Sequence, residues 1–148
     1  MRAKIRFEFY NQVLEREEVE TMWAEVLDDC QGFYKLDNIP FFVTSFATED
    51  IVKAIKVDDG FPKVTGLVKE SGNSTINIIF LNNDEQYKSI ILKRLTNLGA
   101  EYEGMESLAS GYYSLNIPKN VDYRAIYEFL SSENENLDFR EACIAHHT

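Results

Sequence analysis

Two cysteines, two histidines, three prolines and one tryptophan are spread over 148 residues, and each scarcity narrows what the chain can be. Cys30 and Cys143 lie far apart and match neither a metal-binding nor a redox spacing, so two reduced structural thiols are expected. Cys143 falls in an apolar strand pattern and reads as an inert core thiol, while Asp28 and Asp29 beside Cys30 oppose thiolate formation there. The histidines are His146 and His147, next to the C-terminal Thr148, where fraying is expected and a general base would be poorly held. The seven glycines sit singly at turns, and no dinucleotide fingerprint, phosphate-binding loop, nucleophile elbow or metalloprotease motif occurs. No cofactor, no metal and no catalytic residue is therefore expected, and the chain reads as a non-enzyme. No run approaches membrane-spanning length, and Met1 to Phe7 has basic residues without the apolar core of a signal peptide, so a cytoplasmic location is expected.

What is present is a packed globular composition, 45% hydrophobic and 13% aromatic. A chain of this length suits one ordinary domain or two small ones and buries roughly two-thirds of its unfolded surface. The net charge is −10, with residues 1–72 and 73–148 contributing −5 each. Such a field repels nucleic acid and steers a basic protein toward the chain, and the same charge also serves solubility.

The chain divides into two units. In residues 1–72, Ile5, Phe7 and Phe9 alternate with charged residues from Ala3 to Tyr10, the period of a strand with one buried face. Further strands are expected over Val19 to Leu27, Gly32 to Leu36, Phe41 to Phe46, Glu49 to Val57 and Phe61 to Glu70, with Asp28 to Gly32 and Asp58-Asp59-Gly60 as turns. Six closely spaced strands predict a small antiparallel barrel or curled sheet. Residues 73–148 change period. Thr75 to Leu81 reads as an apolar strand. A helix follows, capped within Asn83 to Gln86, carrying Tyr87, Ile90, Ile91, Leu95 and Leu98 at helical spacing and stopped by Gly99. Glu101 to Ser107 and Tyr112 to Ile117 read as strands, Asp122 caps a helix with Tyr123, Ile126, Tyr127 and Leu130, and Leu137 to Ile144 closes the order β-α-β-β-α-β. The fold class expected is thus α+β, a barrel-like unit followed by a ferredoxin-like unit, the two packed as one compact body.

The stretch Leu36-Asp37-Asn38-Ile39-Pro40-Phe41-Phe42 joins turn-forming polar residues, a rigid φ and an apolar pair. With Met22-Trp23-Ala24-Glu25, the Gly-Asn-Ser-Thr junction at Gly72 to Thr75 and the segment Asp138 to Cys143, it resembles the signature of a bacterial family classed as a domain of unknown function. The resemblance covers most of the chain and implies architecture without an activity. Accordingly Trp23, Asp37, Asn38, Pro40 and Phe41 are expected to be structural, Asp37 and Asn38 fixing a turn and Pro40 its exit.

The acidic positions Asp28, Asp29, Glu49, Asp50, Asp58 and Asp59 recur at turns that one end of a small barrel would gather, and Phe61 and Tyr112 supply aromatic anchor area. They compose a partner-binding set for a basic protein, most concretely a toxin such as a nuclease neutralised by this chain as its immunity protein. A small-molecule-sensing regulatory domain is the alternative, by analogy of element order alone. A hydrolase using a carboxylate pair ranks third. Oligomeric state is not specified by the sequence.

Overall fold

The computed structural model of the chain describes residues 1–12, 14–105 and 111–146; Val13, the loop 106–110, His147 and Thr148 lie outside the described residues, and with them the expected strand end at Glu106 and Ser107. The protein is α+β and divides into two compact units, Met1–Ser71 and Gly72–Thr148.

The first unit is a closed five-stranded barrel of β1 (Arg2–Asn11), β2 (Arg16–Asp28), β3 (Phe33–Leu36), β4 (Ile51–Ile55) and β5 (Lys63–Lys69). Neighbouring strands run antiparallel in chain order, and the barrel closes where β1 meets β5 in parallel at Arg6 and Lys63. Alternation decides what goes inside. Ile5 and Phe7 of β1, Met22 and Ala24 of β2, Tyr34 and Leu36 of β3 and Val52 and Ala54 of β4 are buried in one cluster, each large side chain contributing about 1.5–3 kcal/mol. In the β2–β3 turn, Gly32 has φ +76° and a Cβ there would lie 2.3 Å from the Ala54 carbonyl oxygen on β4, whereas the bare glycine lets its own carbonyl accept the Ala54 N–H at 2.9 Å. Only glycine fits this approach.

Five strands form this barrel where six were expected. Phe41 to Phe46 is irregular, because its amides are claimed by a side chain before any strand can pair with them. Glu20 shares the inward phase of Met22 and Ala24 on β2, and its carboxylate accepts the N–H groups of Phe41 at 2.7 Å, Phe42 at 3.0 Å and Val43 at 2.9 Å. Val43 then enters the barrel cluster, and Phe46 sets its ring edge-on to Phe7 at 4.8 Å. Asp50, only 2% exposed, ends the connection in the same manner, accepting from Ala47 N at 3.0 Å and from Ser71 N and Oγ, both at 2.9 Å. Residues 37–50 thus plug the barrel and are held by two carboxylates.

The second unit is a four-stranded antiparallel sheet in the order β7-β8-β6-β9 with two helices: β6 (Ser74–Phe80), α1 (Glu85–Asn97), β7 (Glu101–Gly104), β8 (Tyr112–Ile117), α2 (Tyr123–Ser132) and β9 (Leu137–Cys143). Asp84 caps α1 by accepting from Gln86 N and Tyr87 N, and Asp122 caps α2 by accepting from Ala125 N. Gly99, at φ +108°, turns the chain out of α1 where a Cβ would meet Val121 at 2.7 Å. Ile91, Leu92 and Leu95 of α1 and Tyr123, Ile126 and Leu130 of α2 pack with Ile76, Ile78, Phe80, Leu115, Ile117 and Leu137 of the sheet. Ile90, expected on this face, is 60% exposed. The opposite face of the sheet is polar. Asn77 donates to Ser114 Oγ at 2.9 Å and accepts from Arg140 Nε at 2.7 Å, and Asn116 donates to Glu101 at 2.7 Å.

Two tyrosines of this unit donate hydrogen bonds from their phenol hydroxyls to carboxylates, Tyr87 to Glu133 and Tyr123 to Glu141, both at 2.5 Å. Burial, then the hydrogen bond and charge of Glu133, pushes the Tyr87 phenol up to about 12. Burial and Glu141 push Tyr123 well above the usual phenol range.

Replacing Glu20 by Ala leaves three backbone donors without their acceptor and is expected to cost about 2 kcal/mol in urea unfolding, against less than about 0.5 kcal/mol for Glu17→Ala on the exposed face of the same strand. Equal effects would refute the anchoring role. The tyrosines predict an alkaline transition. Their folded-state pKa values lie above the unfolded value of about 10, so the stability they contribute is complete below pH 10 and is lost as pH rises through about 12 for Tyr87. The unfolding midpoint should fall between pH 10 and 12, less steeply in Tyr123→Phe; a flat profile in the wild type would contradict this.

Candidate partner-binding surface

Because β2 and β4 both run antiparallel to β3, the turn after β2 and the turn after β4 lie at one end of the barrel. Asp29 Oδ2 and Lys56 Nζ approach to 3.6 Å across these turns, so Asp28 and Asp29 share a neighbourhood with the turn that carries Asp58 and Asp59. Asp29, Asp58 and Asp59 are exposed. Asp28 accepts from Gln31 N at 3.1 Å and Gln31 Nε2 at 2.8 Å, and the backbone bond from Gln31, followed by the side-chain bond, holds its carboxyl below the usual carboxylate range. Asp59 meets Arg6 at 3.3 Å, and Arg6 also meets Glu8 at 3.2 Å. These contacts orient the turns without removing their carboxylates from solvent.

The other expected acids lie elsewhere. Glu49, exposed and at φ +68°, and Asp50 sit at the opposite end of β4. Asp50 cannot face a partner, because it is buried and its oxygens are taken by Ala47 and Ser71; the expected surface carboxylate is a structural one, its carboxyl raised by burial against the lowering effect of those bonds. Tyr112 belongs to the second unit, half-buried on β8 opposite Ile79.

Phe61 is 45% exposed and Trp23 39% exposed. Both rings lie under cations, Arg2 at 4.7 Å and Lys4 at 5.3 Å from Trp23, and Lys4 at 5.9 Å from Phe61. Trp23 is therefore an outer-face residue whose ring is partly covered by the Arg2 and Lys4 side chains. The neighbouring box residues fasten this corner: Asn38 Oδ1 accepts from Trp23 N at 2.6 Å, Asp37 N donates to Trp23 O at 2.9 Å, and Asp37 pairs with Arg2 at 2.9 Å. Pro40 is buried and Phe41 half-buried.

One histidine expected to fray is anchored. Ser74 Oγ lies 2.6 Å from His146 Nδ1 and accepts from Ala145 N at 2.8 Å and His146 N at 3.2 Å, while His146 Nε2 lies 2.8 Å from the Pro118 carbonyl. Those partners assign the ring proton to Nε2, which donates to Pro118, and make Nδ1 the acceptor of the Ser74 hydroxyl. The ring stacks on Tyr123 at 5.2 Å. A serine with a histidine at this distance has the form of a nucleophile and its base, yet Ser74 is fully buried and its one donor and both lone pairs are used. The pair is a clasp that ties the segment after β9 to the start of β6. The signal was available only through the pairing of Thr75 with Cys143, which brings residues after Cys143 alongside Ser74. His147 lies outside the described residues. Cys30 is exposed and Cys143 half-buried, both as free thiols. Among the described residues, no group of three His, Cys, Asp or Glu side chains is arranged to hold a metal, and no helix is long and apolar enough to cross a membrane.

The profile of a family described as Domain of unknown function (DUF4265) matches residues 20–139. A solved structure titled as a novel crystal structure of a hypothetical protein from Neisseria gonorrhoeae is similar over 97% of this chain and 96% of that one, at 25% identity and a TM-score of 0.82. Among curated proteins no match was found.

Proposed function

The chain belongs to the family Domain of unknown function (DUF4265), and we propose that it is a non-catalytic, cytoplasmic protein-binding module that engages a basic partner, most concretely an immunity protein that occludes a cationic toxin such as a nuclease. The observation that carries this reading is the joining of the β2–β3 and β4–β5 turns at one barrel end, with Asp28, Asp29, Asp58 and Asp59 on them. Four carboxylates on short, glycine-containing turns at the rim of a closed barrel are pre-organised, so little ordering entropy opposes their pairing with Lys and Arg. The toxin's nucleic-acid-binding cations are the matching surface. Phe61, following directly on Asp59 and Gly60, supplies exposed aromatic area next to the charges, the combination from which interface hot spots are built. The ferredoxin-like reading of the second unit is part of the proposal, supported by its βαββαβ order and its β7-β8-β6-β9 sheet; the four turn carboxylates all belong to the first unit.

The test is retention of a basic protein from native lysate on the tagged chain at roughly 0.05 M and 0.5 M salt, which bracket weak and strong screening, in parallel with the quadruple variant Asp28→Asn, Asp29→Asn, Asp58→Asn and Asp59→Asn. Expected is a stoichiometric basic partner held by the wild type, weakened at high salt, and bound at least tenfold more weakly by the variant. A partner retained equally by the variant, or none retained by the wild type, would overturn the proposal.

A further inference from the structure

Lys88 is 2% exposed, the largest fully buried side chain among the described residues. Lysines on helices ordinarily carry their ammonium out to water. This one is held inward, 2.8 Å from Glu85 Oε1 and 3.4 Å from Asn83 Oδ1, so two acceptors serve an ammonium with three protons. Its partner Glu85 has a side chain 79% exposed, and solvent screening weakens that attraction. Lys88 is one of the residues that line a cavity of about 380 Å³, together with Leu92, Lys93 and Thr96 on α1 and Tyr102 and Tyr113 on β7 and β8. The two tyrosine rings stand edge to face at 5.9 Å.

The geometry points to a binding site here for a small organic anion with a planar apolar body, an aromatic carboxylate being the simplest member of the class. Two lysines on one wall select a negative charge, and the single carboxylate in the lining is already engaged by Lys88. The unmatched ammonium proton of Lys88 supplies a buried, directional donor for a carboxylate oxygen, stronger than an exposed lysine would offer. The rings of Tyr102 and Tyr113 and the side chain of Leu92 form the apolar walls, and Thr96 adds a hydroxyl. The volume lies near the lower end of the range for small-molecule pockets, which suits one ring and its charged group. This site lies in the second unit and is independent of the acidic barrel end, so a small-molecule response and a protein partner are separable properties of the chain.

The probe is benzoate, titrated into the ¹⁵N-labelled full chain to about 50 mM, enough to register a Kd of order 1–10 mM. Saturable shifts are expected at the amides of residues 88–96, 102 and 113, with amides of the barrel unmoved. Lys88→Met should weaken binding at least tenfold and Lys93→Met by a smaller factor, while Lys119→Met should leave it unchanged. Benzyl alcohol, which has the ring without the charge, keeps the test decisive if Lys88→Met fails to fold, because it must leave the wild-type amides in place. Absence of saturable shifts with benzoate, equal binding of benzyl alcohol, or binding that survives in folded Lys88→Met would each overturn the site.

Discussion

Backbone donors that find a side-chain carboxylate in place of a strand partner are the constraint on which the first unit depends. The fourteen residues that separate Leu36 from Ile51 would, as an ordinary loop, lie over the surface with their amides in water. Here Val43, Ala47 and Ile39 are buried, and burial is tolerable only because the amides are bonded. Glu20 takes those of Phe41, Phe42 and Val43, and Asp50 takes that of Ala47. Once the connection is pinned, Val43 and Phe46 fill the barrel, Asn38 and Asp37 fix the backbone at Trp23, and Leu36 N donates to Asp50 O to seat the start of β4. The box that marks this chain is thus part of the plug of a barrel, and the chemistry of Asp37 and Asn38 is spent on geometry.

Carboxylates inside the first unit hold the plug at the Leu36 end of β3 and β4, and Asp28, Asp29, Asp58 and Asp59 stand at the Phe33 end, where their contacts orient the turns and leave Asp29, Asp58 and Asp59 exposed. Charge without a packing role is the part of an acidic protein available to a partner. The second unit shows the same contrast in cations. Arg140 bonds to Asn77 and Arg124 to Glu128, whereas Lys88 is buried with fewer acceptors than its protons call for.

Much of this was legible in the residues, and what was not shares a cause. The alternation of Ile5, Phe7 and Phe9, the caps at Asp84 and Asp122 and the stop at Gly99 are local signals, and each reappears in the structure where the pattern placed it. Phe41 to Phe46 has the aromatic and β-branched content of a strand, and its composition alone cannot reveal that Glu20, twenty-one residues earlier than Phe41, claims its amides. Asp50 looks like any turn acid until Ala47 and Ser71 are seen converging on it. His146 looks like a loose end until β9 pairs with β6, and Lys88 sits at a helical position that on sequence grounds belongs to solvent. In each case a side chain was read from its neighbours in sequence while its role is set by partners elsewhere in the chain or by burial, the information that propensity and periodicity do not hold.

The most direct test of the carboxylate-anchored plug is amide hydrogen exchange at Phe41, Phe42 and Val43 in the wild type and in Glu20→Ala. The account predicts protected amides in the wild type that become fast in the variant while those of β1 and β2 stay slow, local opening without global unfolding. Fast exchange at these three amides in the wild type, or protection unchanged in the variant, would contradict it.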